Sequence, residues 1–264
     1  MDVKDIFHVA VYPFHSENSS LIKDIAEVVN KHVYDTRLLL IGTIPRIIAH
    51  YEDKQVAYSV ANSLSKLGLT VLVCSDLELR RPADSFIVHT LVLKDGYVLF
   101  IDINGNEKKV KPENVTLLIK FNLLRSSTKE DTETSFKFSL TRTVIMGGFP
   151  MFRKVTEKKS ETSTSMENSL RIYEKGICDS FVELRQHHID YSFLENKLTP
   201  SSFTNFNTVT MKLREKFGKA AFNENLYKTP SSESSNRLRD DHEINCKLIY
   251  LFHNLMNDHA ENSL

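Results

Sequence analysis

The chain has few of the residues and motifs on which most catalytic sites depend. It holds only eight glycines in 264 residues, and none belongs to a G-x-G-x-x-G or G-x-x-x-x-G-K loop. Such loops allow the close backbone approach that phosphate groups require. The nucleophile motif G-x-S-x-G is missing as well. The sequence therefore predicts no catalytic residue, no metal site and no cofactor.

Cysteine, net charge and long apolar runs are also scarce. Cys74, Cys178 and Cys246 lie far apart without a C-x-x-C pair, which is typical of reduced thiols in a cytoplasm. Basic and acidic residues both number 34, so the summed charge provides no attraction to nucleic acid. No apolar run reaches the ~18 residues of a membrane span, and the N-terminus lacks the basic region of a signal peptide. We expect a cytoplasmic protein with no nucleic-acid partner and no membrane span.

Residues 1–76 have the clearest pattern of apolar positions. The pattern predicts an α/β domain with the order strand, helix, short helix, strand, helix, strand. Ser19 or Ser20 caps the first helix, and the third begins after Asp53 and closes at Gly68. The remaining predicted elements are the strands Phe7–Tyr12, Arg46–Tyr51 and Thr70–Cys74 and the short helix Tyr34–Ile41.

This order of elements resembles the C-terminal domain of the bacterial ribosomal stalk protein and the related fold of the Clp protease adaptor. The stalk domain can be laid alongside residues 35–73 without a gap. The resemblance implies an architecture that serves as a binding module. His32, Val33 and Tyr34 replace the glycine-leucine-glycine turn of the stalk domain, and residues 14–17 replace the Asn-Asp-Asp run of the adaptor. The matching positions are Pro45, Lys54, Ala57, Leu64, Gly68, Val71 and Val73.

Two surfaces of this first domain are candidate binding sites. One is the loop after the first strand, and the other is the exposed face of the first helix. Both are places where a partner protein would meet polar side chains on a rigid scaffold. The candidate residues are Phe14, His15 and Glu17 in the loop and Lys23, Glu27 and Lys31 on the helix.

The remainder of the chain changes to the period of β-strands. Residues 77–85 have the composition of a linker, and residues 86–228 predict a β-rich domain that ends in a helix beginning near Thr199. Turn signals at residues 95–96 and 104–106 favour an antiparallel meander, and Ile189–Leu194 is interpreted as a further strand. This arrangement resembles the pleckstrin homology architecture. The resemblance implies that the strands close into a barrel. The fold class predicted for the whole chain is α+β.

Two segments of low apolar content interrupt this pattern. Residues 123–165 are predicted to be a flexible insertion because they bury too little apolar surface to offset the entropy of ordering. Within them Thr143–Phe152 is apolar, and it is interpreted as a strand or loop patch or as a short recognition segment. Residues 229–240 form a Ser-rich linker.

Residues 241–258 predict an amphipathic helix. Its apolar stripe must be buried against another surface. Three surfaces are alternatives for covering the stripe, namely its own chain, a second copy of the chain and another protein. Its residues are Ile244, Leu248, Leu251, Phe252 and Leu255.

Histidines and basic runs provide only weak signals. His187 and His188 lie beside Asp190, but neighbouring side chains on a strand point to opposite faces, so half-exposed histidines are the preferred interpretation over metal ligands. The pair Arg80-Arg81 is a candidate phosphate contact, although a solvated charged face is preferred.

The leading functional hypothesis is a cytoplasmic binding or adaptor protein that acts through protein–protein contacts. A first alternative is an enzyme with an interdomain site built from Arg185, His187 or His188 and a carboxylate. A second alternative is a structural protein that self-associates through the C-terminal helix, which makes a homo-oligomer a possible state. Arg185 is also a candidate binding residue in the leading hypothesis.

Overall fold

The computed structural model describes residues 5–14, 19–138, 152–177, 179–228 and 238–261. Helices accompany three mostly antiparallel sheets, so the predicted α+β class is confirmed. Residues 1–123 and 168–264 form one compact unit, and Leu124–Glu167 forms another. Every site described below lies in the first unit.

The first sheet has three strands, all of which come from residues 7–75. Its central strand, β1, is antiparallel to both neighbours, in the order β2-β1-β3. The predicted order of strands and helices is confirmed. The elements are β1 (Phe7–Val11), α1 (Ser19–Val28), α2 (Val33–Leu40), β2 (Arg46–Tyr51), α3 (Lys54–Lys66) and β3 (Val71–Ser75).

The ends of these helices follow from local chemistry. The Asp53 side chain accepts a hydrogen bond from the Gln55 N–H at 2.7 Å, which caps α3. Gly68 has φ +86° after the helix, a conformation that glycine adopts without strain. Helix α1 ends at Val28, and Asn30 turns the chain into the left-handed region just after it, with φ 51°.

The predicted linker at residues 77–85 contains regular structure. It includes most of α4 (Asp76–Leu79) and the start of β4 (Asp84–Val88). Ser75 and Glu78 form a capping box that begins α4, and Leu79 is buried in the core at 3% exposure. The segment therefore lies inside the first unit, together with the strands on both sides of it.

The other two sheets hold the remaining strands. Strands β5, β6 and β7 form an antiparallel meander, as predicted, whereas β4 pairs with β10 and β8 with β11 in parallel. The five-stranded sheet has the order β11-β8-β9-β10-β4, and none of the three sheets closes into a barrel in the described chain. The strands are β5 (Thr90–Lys94), β6 (Tyr97–Ile101), β7 (Glu107–Val110), β8 (Val115–Phe138), β9 (Phe152–Glu174), β10 (Ser180–Arg185) and β11 (Ala221–Asn223).

Two predictions in this half of the chain have different outcomes. Residues 124–167 form a unit of their own, close to the predicted insertion at residues 123–165. Its described part is mostly strand, because β8 and β9 extend into it and its many threonines favour extended backbone; the flexibility of the insertion stays a prediction. The strand predicted at Ile189–Leu194 is wrong, since a 3-10 helix occupies Ser192–Lys197. The Asp190 carboxylate accepts hydrogen bonds from the N–H and the hydroxyl of Ser192 at the start of this helix. Residues 143–151 and 229–237 lie outside the described residues.

The helices after β10 cover both faces of the five-stranded sheet. Helix α5 (Ser202–Lys216) packs Phe206, Val209 and Leu213 into one core cluster, and α6 (Asn225–Lys228) follows β11. Helix α5 is capped by Ser201, not by Thr199, because Ser201 Oγ accepts the Thr204 N–H at 3.3 Å.

Helix α7 (Leu238–Glu261) lies between the first sheet and the five-stranded sheet. One side of α7 packs Leu248 and Phe252 against Ala10 and Cys74, and the other packs Tyr250 with the core of the five-stranded sheet. It is longer than the predicted 241–258. Neither α7 nor any other described helix has the length and apolar character needed to cross a membrane.

Candidate functional site

A cleft of about 450 Å³ opens where α7 leaves the edge of the five-stranded sheet. Its floor is formed by β9 and β10, one wall by the first turns of α7, and the other by the connection from α4 to β4. Ligand sites are typically concave clefts of this kind, with a few polar groups that converge on the ligand.

Basic side chains outnumber acidic ones in the lining of the cleft. The five basic residues come from four separate parts of the chain, and Glu183 and Glu243 are the only acidic residues among the described residues of the lining. Such a lining favours negatively charged groups. The basic residues are Arg80, Arg81, Arg171, Arg185 and Lys247.

Arg171 is the deepest of these cations, with 1% of its surface exposed. Its Nε donates to Glu183 Oε2 at 2.7 Å, its Nη1 donates to Glu243 Oε2 at 2.7 Å, and its Nη2 donates to Glu243 Oε1. Phe121 and Phe181 lie against the guanidinium, with 5.0 and 4.2 Å from its Cζ to the ring centroids. All three nitrogens of Arg171 are engaged, so this residue ties β9 to β10 and α7.

Glu243 is held ionised by this contact. Burial works against its charge, but hydrogen bonds from His242 and Arg171 hold the pKa of Glu243 at about 2. The bidentate pair with Arg171 therefore persists in acid well below the usual range of a glutamate.

Arg185 differs from Arg171 because its guanidinium is only partly used. Its Nε donates to Glu183 Oε1 at 2.5 Å, and Glu183 itself is fully buried. The Nη groups of Arg185 have no partner among the described residues, and 29% of the side chain is exposed. Arg185 thus presents several N–H donors to the cleft while Glu183 fixes its direction.

Lys247 and Arg81 share the carboxylate of Asp179 at the other side of the cleft. Lys247 Nζ lies 2.6 Å from Asp179 Oδ1 and also donates to the Glu78 carbonyl at 2.5 Å. Arg81 Nη1 lies 3.4 Å from Asp179 Oδ2, and 62% of the Arg81 side chain is exposed. The hydrogen bond from Lys247 lowers the pKa of Asp179.

Arg80 connects the cleft to a buried histidine on the first sheet. Arg80 Nε contacts both oxygens of Asp76, at 2.8 and 3.0 Å, and Asp76 Oδ1 lies 2.9 Å from His8 Nε2. The Nδ1 atoms of His8 and His50 are 2.7 Å apart. Burial and the neighbouring His8 lower the pKa of His50.

The structure brings together only part of the predicted site residues. Arg185 and Ile244 both line the cleft. Leu248 and Phe252 are 1% and 0% exposed. Together with Leu251 and Leu255, they pack on the first sheet of the same chain. The helix stripe is therefore covered by its own chain.

The candidates of the first domain lie elsewhere. Lys23, Glu27 and Lys31 are exposed on and just after α1, and Phe14 packs against the core between α1 and the first sheet. His15 and Glu17 lie outside the described residues. None of the described members of this set lines the cleft.

The residues of the enzyme alternative are also separated. Arg185 lines the cleft, whereas His188 lines a different groove along β4, and His187 is exposed. Within the described ranges, no three His, Cys, Asp or Glu side chains form a cluster suited to a metal ion. Burial raises the pKa of both Cys74 and Cys246 to about 12, so neither thiol is a ready nucleophile.

The prediction missed Arg171 and Lys247. A local signal exists for Arg171. Arg171 stands between Leu170 and Ile172 on a strand, which places a charge on the opposite face from two apolar neighbours. Glu183 and Arg185 repeat that alternation two residues apart on the next strand. Their meeting depends on the antiparallel register Arg171↔Glu183, which the sequence does not reveal.

The comparisons with known proteins return no relative. No protein-family model, no curated protein and no solved structure matches the chain.

Proposed function

We propose that the protein is a non-enzymatic binding or adaptor protein whose cleft takes an acidic segment of a partner protein. The open guanidinium of Arg185 supports this proposal most strongly, because it combines unpaired donors with a buried carboxylate that fixes their direction. Arg81, exposed across the cleft, adds a second cation. Charge-assisted hydrogen bonds of this kind recognise carboxylates with high strength.

The cellular setting belongs to the same proposal. We place the protein in the cytoplasm, on the spacing of its cysteines, and expect neither nucleic acid nor a cofactor as its ligand. We also propose that residues 1–76 share the architecture of the stalk domain and the Clp adaptor. The element order and the sheet order β2-β1-β3 support that likeness.

Peptide binding tests the proposal. Fluorescein-labelled hexaglutamate, hexaglutamine and hexalysine are titrated into the full chain and followed by fluorescence anisotropy. Only hexaglutamate is expected to bind, and its affinity is expected to fall as salt rises. Arg185→Gln is expected to weaken it by about tenfold or more, because charge-assisted hydrogen bonds contribute about 1.5–3 kcal/mol.

Arg37→Gln is the matched control, since Arg37 is an exposed cation on α2 away from the cleft. The proposal is contradicted if hexaglutamate binds no better than hexaglutamine. Equal losses in Arg185→Gln and Arg37→Gln would also contradict it, because they would indicate non-specific attraction to positive charge.

A further inference from the structure

Strand β4 forms one edge of the five-stranded sheet, and a groove runs along its outer side. The groove has a volume of about 510 Å³ and is lined by all five residues of Asp84–Val88 and by the turn at residues 102–106. Strand β4 pairs with β10 on its inner side only. The groove therefore follows an unpaired strand edge.

The hydrogen-bond pattern identifies which backbone groups of β4 face this groove. The Asp84 N–H donates to the Asp179 carbonyl at 2.7 Å, so Asp84 faces β10. In a parallel pair, alternate residues of a strand direct both N–H and C=O to the partner. Phe86 and Val88 therefore also face β10, and Ser85 and Ile87 direct their backbone groups into the groove.

The next outward residue confirms this alternation. The His89 N–H, one residue past β4, donates to the Ile101 carbonyl on β6 at 2.8 Å, so the outward direction of residues 85 and 87 continues at His89. Across the described chain, no backbone partner meets the outward groups of Ser85 or Ile87. Edge strands in native proteins are commonly blocked by lysine, proline or a bulge, and β4 has none of these.

The edge and the cation-lined cleft adjoin each other. Ser85 lines both the groove and the cleft. In the register of the sheet, Ser85 lies beside Phe181 and Ile87 beside Glu183, so these side chains share the face that carries Arg185. A strand added along β4 would place every second side chain on that face.

We propose that the occupant of this edge is an extended segment of a partner protein with acidic side chains at alternate positions. It pairs its backbone with Ser85 and Ile87 and directs carboxylates toward Arg185 and Arg81. This inference rests on the proposed function and adds the conformation and register of the ligand. The charge of the cleft selects an acidic segment, and the outward N–H and C=O groups select an extended one.

N-methylated peptides test the pairing without altering the protein. The probe is an acetylated and amidated seven-residue peptide of alternating valine and glutamate. Two versions carry N-methyl groups, one on the valine amides and one on the glutamate amides. Only one set of amides can face β4, so one version is expected to lose about tenfold or more in affinity and the other to bind nearly as the parent does.

Protein variants test the same contact from the other side. Ile87→Pro removes an outward N–H and Ile87→Thr keeps it with a similar β-branched shape, so only the proline variant is expected to weaken the parent peptide. Edge strands accept proline where the N–H faces solvent, and circular dichroism checks the fold. Amide exchange at Ser85 and Ile87 is expected to slow at least tenfold when the peptide is bound.

The outcomes separate this inference from the proposed function. If no version of the peptide binds, both fail. If the parent peptide binds through Arg185 but both N-methylated versions bind equally well, and Ser85 and Ile87 exchange is unchanged, the strand pairing is wrong while the proposed function stands. If the free chain is a dimer that Ile87→Pro separates, the edge belongs to a second copy and the inference is overturned.

Discussion

Arg171 is a buried cation whose two carboxylate partners come from different elements. Glu183 lies on β10 and Glu243 on α7. Removing one partner of a buried ion pair leaves the other charge without compensation, which costs more than the pair contributes. We expect Arg171→Met to lower the free energy of unfolding by about 3–5 kcal/mol, measured by urea denaturation.

Arg214→Met is the control for this substitution. Arg214 is exposed on α5, and its Cζ lies 4.6 Å from the ring centroid of Phe222. Loss of such an exposed contact is expected to cost about 1 kcal/mol or less. Equal effects of the two substitutions would show that Arg171 does not join the elements as described.

The lowered pKa values of two histidines make the stability of the protein depend on pH near neutrality. Burial lowers the pKa of His50 and of His253, with the nearby charges of His8 and Lys31 adding to the effect at His50. Near and below pH 6.5 these histidines therefore bind protons more readily in the unfolded chain than in the folded one. Their contribution to the free energy of unfolding is full above the ordinary histidine pKa of about 6.5 and is lost as the pH drops below it.

The double variant His50→Gln/His253→Gln removes this dependence. The free energy of unfolding, measured by urea denaturation between about pH 7.5 and 5.5, is expected to decline less steeply than in the unaltered chain. His187→Gln, at an exposed position, is expected to leave the slope unchanged. A slope that persists in the double variant would show that other groups bind the protons.

At the scale of elements, α7 is a core helix shared by two sheets. Phe252 is fully buried against the first sheet, where Leu248 also packs. Phe252→Ala would leave a cavity that the two layers cannot close, and we expect a loss of about 3–5 kcal/mol in the free energy of unfolding.

The control for Phe252 is an apolar side chain of similar reach on the surface. Met211 on α5 is 71% exposed, so Met211→Ala is expected to change the free energy of unfolding by less than about 0.5 kcal/mol. The free energies of unfolding of both variants are measured by urea denaturation and compared. If Phe252→Ala is as stable as the control, α7 does not pack on the first sheet.

Elements with strong local signals are predictable from this sequence. The cap at Asp53, the closing Gly68 and the strand Arg46–Tyr51 depend on neighbours in the chain, and the structure has them where they are predicted. The strands that run through the predicted insertion depend instead on ladder pairing between β8 and β9. Pairing of that kind has no signal within either strand alone.

The site was less predictable than the fold for the same reason. Arg185 is recognisable as a candidate from the sequence. Its partner Glu183 also binds Arg171, and Arg171 binds Glu243, which lies 72 residues later in the chain. Composition cannot reveal this cluster because the chain has equal numbers of basic and acidic residues. The surplus of basic over acidic lining residues is a property of this cleft and not of the chain as a whole.

At the scale of the first unit, the layers account for the position of the cleft. Helix α7 fills the space between the two sheets through Leu248 and Phe252 on one side and Tyr250 on the other. Its first turns reach the edge of the five-stranded sheet, where Glu243 and Lys247 are held by β9 and by Asp179. The cleft is therefore lined by elements that pack in the core of the first unit, which favours a preorganised binding site.

The most direct test of the binding proposal is nuclear magnetic resonance of the Arg185 side chain in the full chain. Hexaglutamate is added stepwise while the Nε–Hε signals of the arginines are followed. The account predicts a saturable shift of the Arg185 signal, and of Arg81, with the Arg37 signal unchanged. A shift that is equal for all arginines, or absent at Arg185, would contradict it.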